Sequence, residues 1–245
     1  MDNEKLLKSK ISDIKRLSEK YNTPRFSDFL DEAEAETVRA ERLDFGGYFF
    51  GGYDGAKRKV LGFFPDWYEM ENTDFPVTAV EIIKKGEKDL SHRDYLGTVL
   101  GLGLERRKIG DIIVTEKGAY VFSINDVASL ILGIEKVSSC GVKTRTVDFS
   151  DLVIPEPEYK ILEIVAASMR LDSILSGTLK LSRKNTADFI KSGRCMVNHR
   201  ATERNDYPIK TGDTLSLRGF GRYEVLSIDG ETRSGRLHIK IKKYI

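Results

Sequence analysis

Apolar residues near the start of the chain recur at three- and four-residue steps, at Leu7, Ile11, Ile14, Leu17 and Tyr21, with Lys and Asp between them. That spacing predicts an amphipathic helix. A second helix is expected after Asp31, because Asp31 and Glu34 have capping-box spacing and Glu32 adds an acid where the helix dipole favours negative charge. Beyond Leu43 the texture becomes aromatic and β-branched. Residues 48–53 and 58–64 flank Asp54-Gly55, which predicts a hairpin, and Pro65 with the acidic run to Asp74 closes a first unit.

From residue 77 the pattern alternates between two periods. Residues 77–83 predict a strand, and Ser91 caps a helix with Tyr95, Leu96, Val99 and Leu100 on one face. Residues 111–115 and 119–123 predict two short strands joined through Lys117-Gly118. Asn125 is expected to cap a helix carrying Val127, Leu130, Ile131 and Ile134, and residues 142–149 form a last strand. The order β-α-β-β-α-β is the split motif of ferredoxin-like and RNA-recognition-like folds. None of these strands holds the Lys/Arg-Gly-Phe/Tyr-Gly/Ala-Phe-Val-x-Phe/Tyr signature that stacks bases, so a scaffold or protein-docking role is expected here. Pro155 and Pro157, among acidic residues, mark the next boundary.

The last third begins with a helix at 169–175, with Asp172 placed to cap it and Leu171, Ile174, Leu175 and Leu179 facing a core. A second helix starts at Ser182, whose hydroxyl can accept a free backbone N–H; Ala187 and Ile190 supply its buried face, and Gly193 stands where a left-handed C-terminal cap belongs. Arg183 and Lys184 occupy its first turn. The macrodipole disfavours cations there by about 0.3–1 kcal/mol, so a sequence selected for stability alone would carry acids. The pair makes sense if an anion binds among these side chains and the free N–H groups. Met196-Val197-Asn198 reads as a strand, Gly212-Asp213 leads into another through Leu215 and Leu217, and Arg218 beside Gly219 and Gly221 leaves room for a ligand to approach. The expected architecture is therefore α+β in three parts: helices plus hairpin over 1–75, the split β-α-β-β-α-β domain over 76–154, and a basic RNA-binding domain over 166–245.

Composition changes this picture in one respect. Hydrophobic residues are 40% and charged residues 32% of the 245, an ordinary globular balance, and the net charge is only +2. Split along the chain, however, residues 166–245 hold 16 Lys plus Arg against 8 Asp plus Glu, whereas residues 1–165 hold 24 against 30. The C-terminal part thus attracts phosphate while the rest does not. Two cysteines, Cys140 and Cys195, supply neither a disulfide framework nor a four-cysteine zinc site, and both are expected to be reduced thiols. No metal or other cofactor is expected. The N-terminus lacks the layout of a signal peptide and no apolar run approaches the roughly 18 residues of a membrane span, so the cytoplasm is the expected address and no membrane partner is expected.

The pattern Arg170-Leu171-Asp172, Leu175, Ser182-Arg183, Ala187, Ile190, Gly193, Val197-Asn198, Gly212-Asp213, Arg218-Gly219 resembles the alpha-L RNA-binding motif, first recognised in a small-subunit ribosomal protein, over about residues 168–222. One departure is His199, where a glycine commonly follows the Val-Asn pair. The resemblance implies RNA contacts from Arg170, Ser182, Arg183, Lys184, Lys191, Arg194 and Asn198, with Arg200 and Arg218 alongside. Arg236 lies outside the motif and is expected to add only to the general field. Further upstream, His92-Arg93-Asp94-Tyr95-Leu96-Gly97, Leu100-Gly101-Leu102-Gly103, Ile109-Gly110-Asp111-Ile112 and Gly51-Gly52-Tyr53 with Ala56 and Arg58-Lys59 are similar to the YlmH family of bacterial proteins. That resemblance spans nearly the whole chain. It implies a non-catalytic, monomeric factor that binds ribosomal RNA and tRNA on the large ribosomal subunit and supports rescue of stalled peptidyl-tRNA complexes.

Two other classes compete. Alpha-L motifs are attached to pseudouridine synthases and RNA methyltransferases, but Gly101-Leu102-Gly103 follows a helix and lacks the third glycine of a nucleotide-binding turn. Residues 76–150 are also too few for a synthase domain. His92, His199 and His238 are scattered in sequence and neither cysteine neighbours one, which leaves no nucleophile–base pair to name. The other class is a ribosome assembly factor, which sequence does not separate from a rescue factor.

Overall fold

The computed structural model describes residues 2–156 and 159–244. Pro157, one of the two prolines expected to mark a boundary, lies outside the described residues. The chain forms two compact units, Met1–Pro155 and Glu156–Ile245.

In the first unit the opening helix is α1 (Asp2–Tyr21), which buries Ile11 and leaves Tyr21, the last member of the predicted stripe, exposed. β1 (Arg25–Leu30) follows, an element that the hydrophobic pattern does not announce, and then α2 (Glu32–Ala40). The capping box of α2 is present: the Glu34 N–H donates to Asp31 Oδ1 at 2.9 Å and the Asp31 N–H to Glu34 Oε2 at 2.8 Å. β2 (Gly47–Phe50) and β3 (Lys59–Phe63) form the expected antiparallel pair, and β1 adds to the other side of β3. Its register slips between Phe26 and Phe29, and the Ser27 hydroxyl accepts the Leu61 N–H at 2.9 Å in place of a ladder carbonyl.

The next elements are β4 (Val77–Lys84), α3 (His92–Gly101), β5 (Ile109–Thr115), β6 (Gly118–Ile124), α4 (Asn125–Leu132), β7 (Lys136–Val137) and β8 (Cys140–Val147). The sheet order is β5-β6-β4-β8-β7, antiparallel throughout. Ser91 caps α3 in a box with Asp94. Asn125, expected to cap α4, is instead its first residue; Ile124 holds the cap position, and the Asn125 side chain accepts from the Thr78 hydroxyl at 2.7 Å. One face of this sheet packs Val80, Ile82, Val121 and Ile112 against Tyr95 and Val99 of α3 and Ile131 of α4. The opposite face packs Phe122, Ala79 and Val77 against Phe29, Val60 and Phe75. Residues 1–75 and 76–154, expected as separate domains, therefore share a core. The approach is close enough to require glycine: a Cβ on Gly110 would lie 2.6 Å from the Phe29 ring, and one on Gly52, at φ +96°, 2.3 Å from the Phe122 ring.

The second unit contains β9 (Tyr159–Ala166), α5 (Leu171–Leu179), α6 (Arg183–Lys191), β10 (Cys195–Val197), β11 (Arg200–Ala201), β12 (Thr214–Leu217), β13 (Gly221–Glu231) and β14 (Leu237–Tyr244). Its antiparallel sheet has the order β11-β10-β12-β13-β14-β9. The core joins Leu171, Ile174 and Leu175 of α5 and Phe189 and Ile190 of α6 to Ile164, Leu215, Val225, Ile239 and Ile241 of the sheet. β9 pairs with β14 along its whole length, from Leu237 opposite Ala166 to Tyr244 opposite Tyr159, so the basic unit begins before the expected residue 166. On α6 the buried residues are Thr186, Phe189 and Ile190, with Ala187 only half-buried. Among the described residues, no helix is long and apolar enough to cross a membrane.

Candidate nucleic-acid interface

Residues 156–245 contain 17 Lys plus Arg against 11 Asp plus Glu, so the second unit keeps most of the basic excess. The helix α6 concentrates it. Ser182 holds the cap position, and its hydroxyl accepts the Asn185 N–H at 3.2 Å. Arg183 and Lys184 follow in the first turn, both exposed, and neither forms a hydrogen bond or ion pair among the described residues. The four preceding helices α2 to α5 each carry an acid in the first turn; α6 has none. Two cations at a dipole end that repels them have no local stabilising partner.

Arg170 occupies the cap position of α5, and Asp172, expected to be the cap, sits inside the first turn. The Asp172 carboxylate accepts instead from Arg170, at 2.9 Å from Nη2 and 3.2 Å from Nε, and from the Ser173 N–H at 2.8 Å. Arg170 is still half exposed, with 51% of its side chain accessible. A cleft of about 450 Å³ opens beside it, bordered by Arg170, Arg183, Ser173, Ser176 and, from the end of the β13–β14 connection, Arg236. Arg236 was not among the residues expected to touch RNA. Only the pairing of Leu237 with Ala166 brings it next to α5, and no local pattern signals that.

A second cationic group lies at the other end of α6, about 13 Å away for nine residues. Lys191 is exposed in the last turn, and Gly193 has the expected left-handed backbone, φ +68°. The Arg194 guanidinium stacks 4.6 Å from the Phe189 ring centre, and its Nε donates to Ser192 Oγ at 2.8 Å. The Arg218 N–H donates to the Arg194 carbonyl at 3.0 Å, which holds the two arginines in adjacent strand ends. Arg200 is exposed on β11.

Asn198 serves the backbone. Its amide donates to Asp213 at 2.8 Å and its carbonyl accepts the Thr214 N–H at 2.9 Å, which ties the β10–β11 turn to the start of β12. With Asn198 at φ +47° and His199 at φ +65°, and Val197 paired with Arg200, the connection is a two-residue turn of the type that needs both central residues left-handed. The turn remains tight although His199 stands where a glycine is common.

Two of the upstream motifs, Gly51–Lys59 and Ile109–Ile112, form a structural joint. Asp111 accepts from the Tyr53 hydroxyl at 2.8 Å and from the Lys57 and Arg58 N–H groups at 2.6 and 3.3 Å, while Arg58 donates to the Ile109 and Phe29 carbonyls at 3.0 and 3.1 Å. These bonds clamp the 51–58 loop to the start of β5. Burial, with the Arg106 charge beside it, holds His92 below its ordinary pKa. Cys140 and Cys195 are buried free thiols, one in each unit, and burial pushes Cys195 up to about 11. Among the described residues, no group of three or more His, Cys, Asp or Glu is placed to hold a metal ion.

Residues 71–151 match the family model described as a putative RNA-binding domain in YlmH. The chain is 31% identical over 234 residues to the ribosome-associated protein quality control protein P2 of Bacillus subtilis (strain 168), an alignment that covers 94% of this chain and 91% of that protein. The fold resembles the solved structure of the cell division protein ylmH from Streptococcus pneumoniae, with a TM-score of 0.51 and 21% identity over 62% of this chain and 94% of that one. With 31% identity over nearly the full length of both proteins, and residues 71–151 matching the YlmH domain model, this chain belongs to the YlmH family.

Proposed function

We propose that this protein is a non-catalytic RNA-binding adaptor that recognises ribosomal RNA, tRNA or both on the large ribosomal subunit, in the cytoplasm, and acts in quality control of stalled peptidyl-tRNA complexes. The observation that carries the proposal is the pair of unpartnered cations at the start of α6, in a basic unit whose helix pair and turn fit the alpha-L motif. The name of the Bacillus subtilis relative gives the process. The contact set is Arg170, Ser182, Arg183, Lys184, Lys191, Arg194, Arg200 and Arg218, with Asn198 shaping the turn between them.

We read residues 76–154 as ferredoxin-like, in keeping with the β-α-β-β-α-β order. RNA-recognition domains use one open sheet face to stack bases. Here every residue of β6 is buried, with α3 and α4 on one face and the aromatic core around Phe29 on the other. That favours a scaffold role for this sheet, or RNA contact through its edges and loops. No metal or organic cofactor is invoked, and no residue is assigned to catalysis.

An assembly factor for the large subunit is the second reading, since it would use the same RNA-binding surface. Sedimentation of lysate containing the tagged protein separates the two. Co-migration with large subunits that carry tRNA is the expected result; co-migration with immature particles would replace rescue by assembly, and absence from both would reject the ribosomal reading.

A further inference from the structure

The cleft beside α5 has features that the motif positions alone do not explain. Three arginines from separate elements border it: Arg170 before α5, Arg183 in the first turn of α6, and Arg236 before β14. Among the described lining residues Asp172 is the one acid, and its carboxylate is already engaged by Arg170. The Arg183 and Arg236 guanidinium groups have no hydrogen bond or ion pair among the described residues, so two positive charges face the space uncompensated. A pair of guanidinium forks bordering one cleft is matched to an anion with several acceptor oxygens.

Size and lining narrow the ligand further. About 450 Å³ is more than a phosphate group needs, and among the described residues no aromatic ring lines the cleft to stack a base. Serine hydroxyls line it instead. Ser173 Oγ accepts the Ala167 and Ser168 N–H groups at 2.9 and 3.3 Å, which leaves its own O–H to donate. Ser176 Oγ donates to the Leu181 carbonyl at 2.8 Å, which leaves its lone pairs to accept. One free donor and one free acceptor complement a hydroxyl that is itself both, as the ribose 2′-OH is.

We propose that this cleft holds one ribose–phosphate unit of an RNA backbone, with Arg183 and Arg236 on the phosphate and Ser173 and Ser176 on the 2′-OH. The assignment rests on the RNA-binding reading and deepens it. It adds Arg236, beyond the motif, to the contact set, and it makes the site select RNA over DNA without reading sequence.

The test uses the full chain and fluorescence anisotropy with two probes, a labelled stem-loop of large-subunit ribosomal RNA and a DNA stem-loop of the same sequence. The wild type should prefer the RNA. Arg236→Gln, at an exposed position, should weaken RNA binding about tenfold and lower the log–log salt slope by about one, the loss of a single phosphate contact. Ser176→Ala should narrow the RNA-to-DNA preference while leaving DNA binding unchanged. Lys191→Gln, at the far end of α6, separates the two levels of the proposal. If it weakens RNA binding while Arg236→Gln matches the wild type, the cleft assignment is wrong and the RNA-binding reading stands. Equal affinity of the wild type for both probes overturns the 2′-OH assignment, and no binding of the RNA stem-loop by the wild type overturns the cleft and the underlying reading together.

Discussion

Reversing the charge of Arg183 should separate binding from folding. The side chain is exposed in the first turn of α6, lacks a partner among the described residues, and shares a cleft with Arg170 and Arg236. Removing a cation from the positive end of the dipole and placing an anion there is worth about 0.3–1 kcal/mol for each change, so Arg183→Glu should stabilise the fold by about 0.6–2 kcal/mol. For a unit the size of Glu156–Ile245, each 1 kcal/mol raises the Tm of its own transition by about 4–8 °C where that unfolding is two-state. Binding should move the other way. A hydrogen bond to a charged group contributes about 1.5–3 kcal/mol, and reversal adds repulsion, so affinity for purified large subunits should fall at least about tenfold, or about 1.4 kcal/mol. Anisotropy at fixed ionic strength and a thermal melt measure the two effects. The charge-matched control cannot be Arg236, which sequence position would recommend but which borders the same cleft. Lys160→Glu serves: it lies on β9 five residues from Val165 at the cleft, about 17 Å along a strand. Equal losses in both variants would mean that only the overall field matters. Unfolding of Arg183→Glu would mean that the arginine is structural.

A fragment of residues 156–245 should fold and bind the RNA stem-loop, whereas one starting at 166 should lose its cooperative melt, because it deletes β9, removes Ile164 from the core and leaves β14 as a bare edge; a cooperative melt of the shorter fragment would show that β9 is dispensable. Cys195 makes stability fall at alkaline pH. Its folded pKa is raised from 9.0 to about 11, so the stabilisation is complete below the unfolded value and is lost as pH rises through the folded one, by an amount on the order of 3 kcal/mol at most. Urea melts of the 156–245 fragment at pH values below and above that window should show the loss, and Cys195→Ala should remove this part of it; an unchanged loss in that variant would assign it to other groups, Tyr223 first among them.

The elements legible in the sequence are those specified by residues close together. The box at Asp31 and Glu34, the cap at Ser182 and the left-handed Gly193 each act within one helical turn, and each is present. Strands that depend on distant partners were not legible. β1 is short and bulged, with Ser27 bonded to a backbone group 34 residues away, so its alternation is irregular. β9 leaves Ile161 and Val165 exposed and follows a proline-containing stretch, which gives it the look of a linker. The division into three parts failed for a related reason: Phe29, Tyr53 and Phe122 read as separate aromatic positions, and only the folded chain stacks Tyr53 5.1 Å from Phe122 in a shared core.

The same distinction runs through the candidate site. Arg183 and Lys184 were legible because a cation in the first turn violates a rule that needs no knowledge of the fold, and such a violation calls for a ligand when no neighbouring acid answers it. Asn198 was legible as a special position but not in its role, since its bonds to Asp213 and Thr214 depend on a strand that arrives fifteen residues later. Arg236 carries no signal of either kind. It sits in a polar turn, violates no preference, and reaches the cleft only because β14 pairs with β9 across seventy residues of chain. A motif read from local spacing therefore finds the cations that the helix pair α5–α6 supplies itself. The cation supplied by the sheet is found only when the pairing is known, and its effect on RNA binding tests the fold of the second unit together with the site.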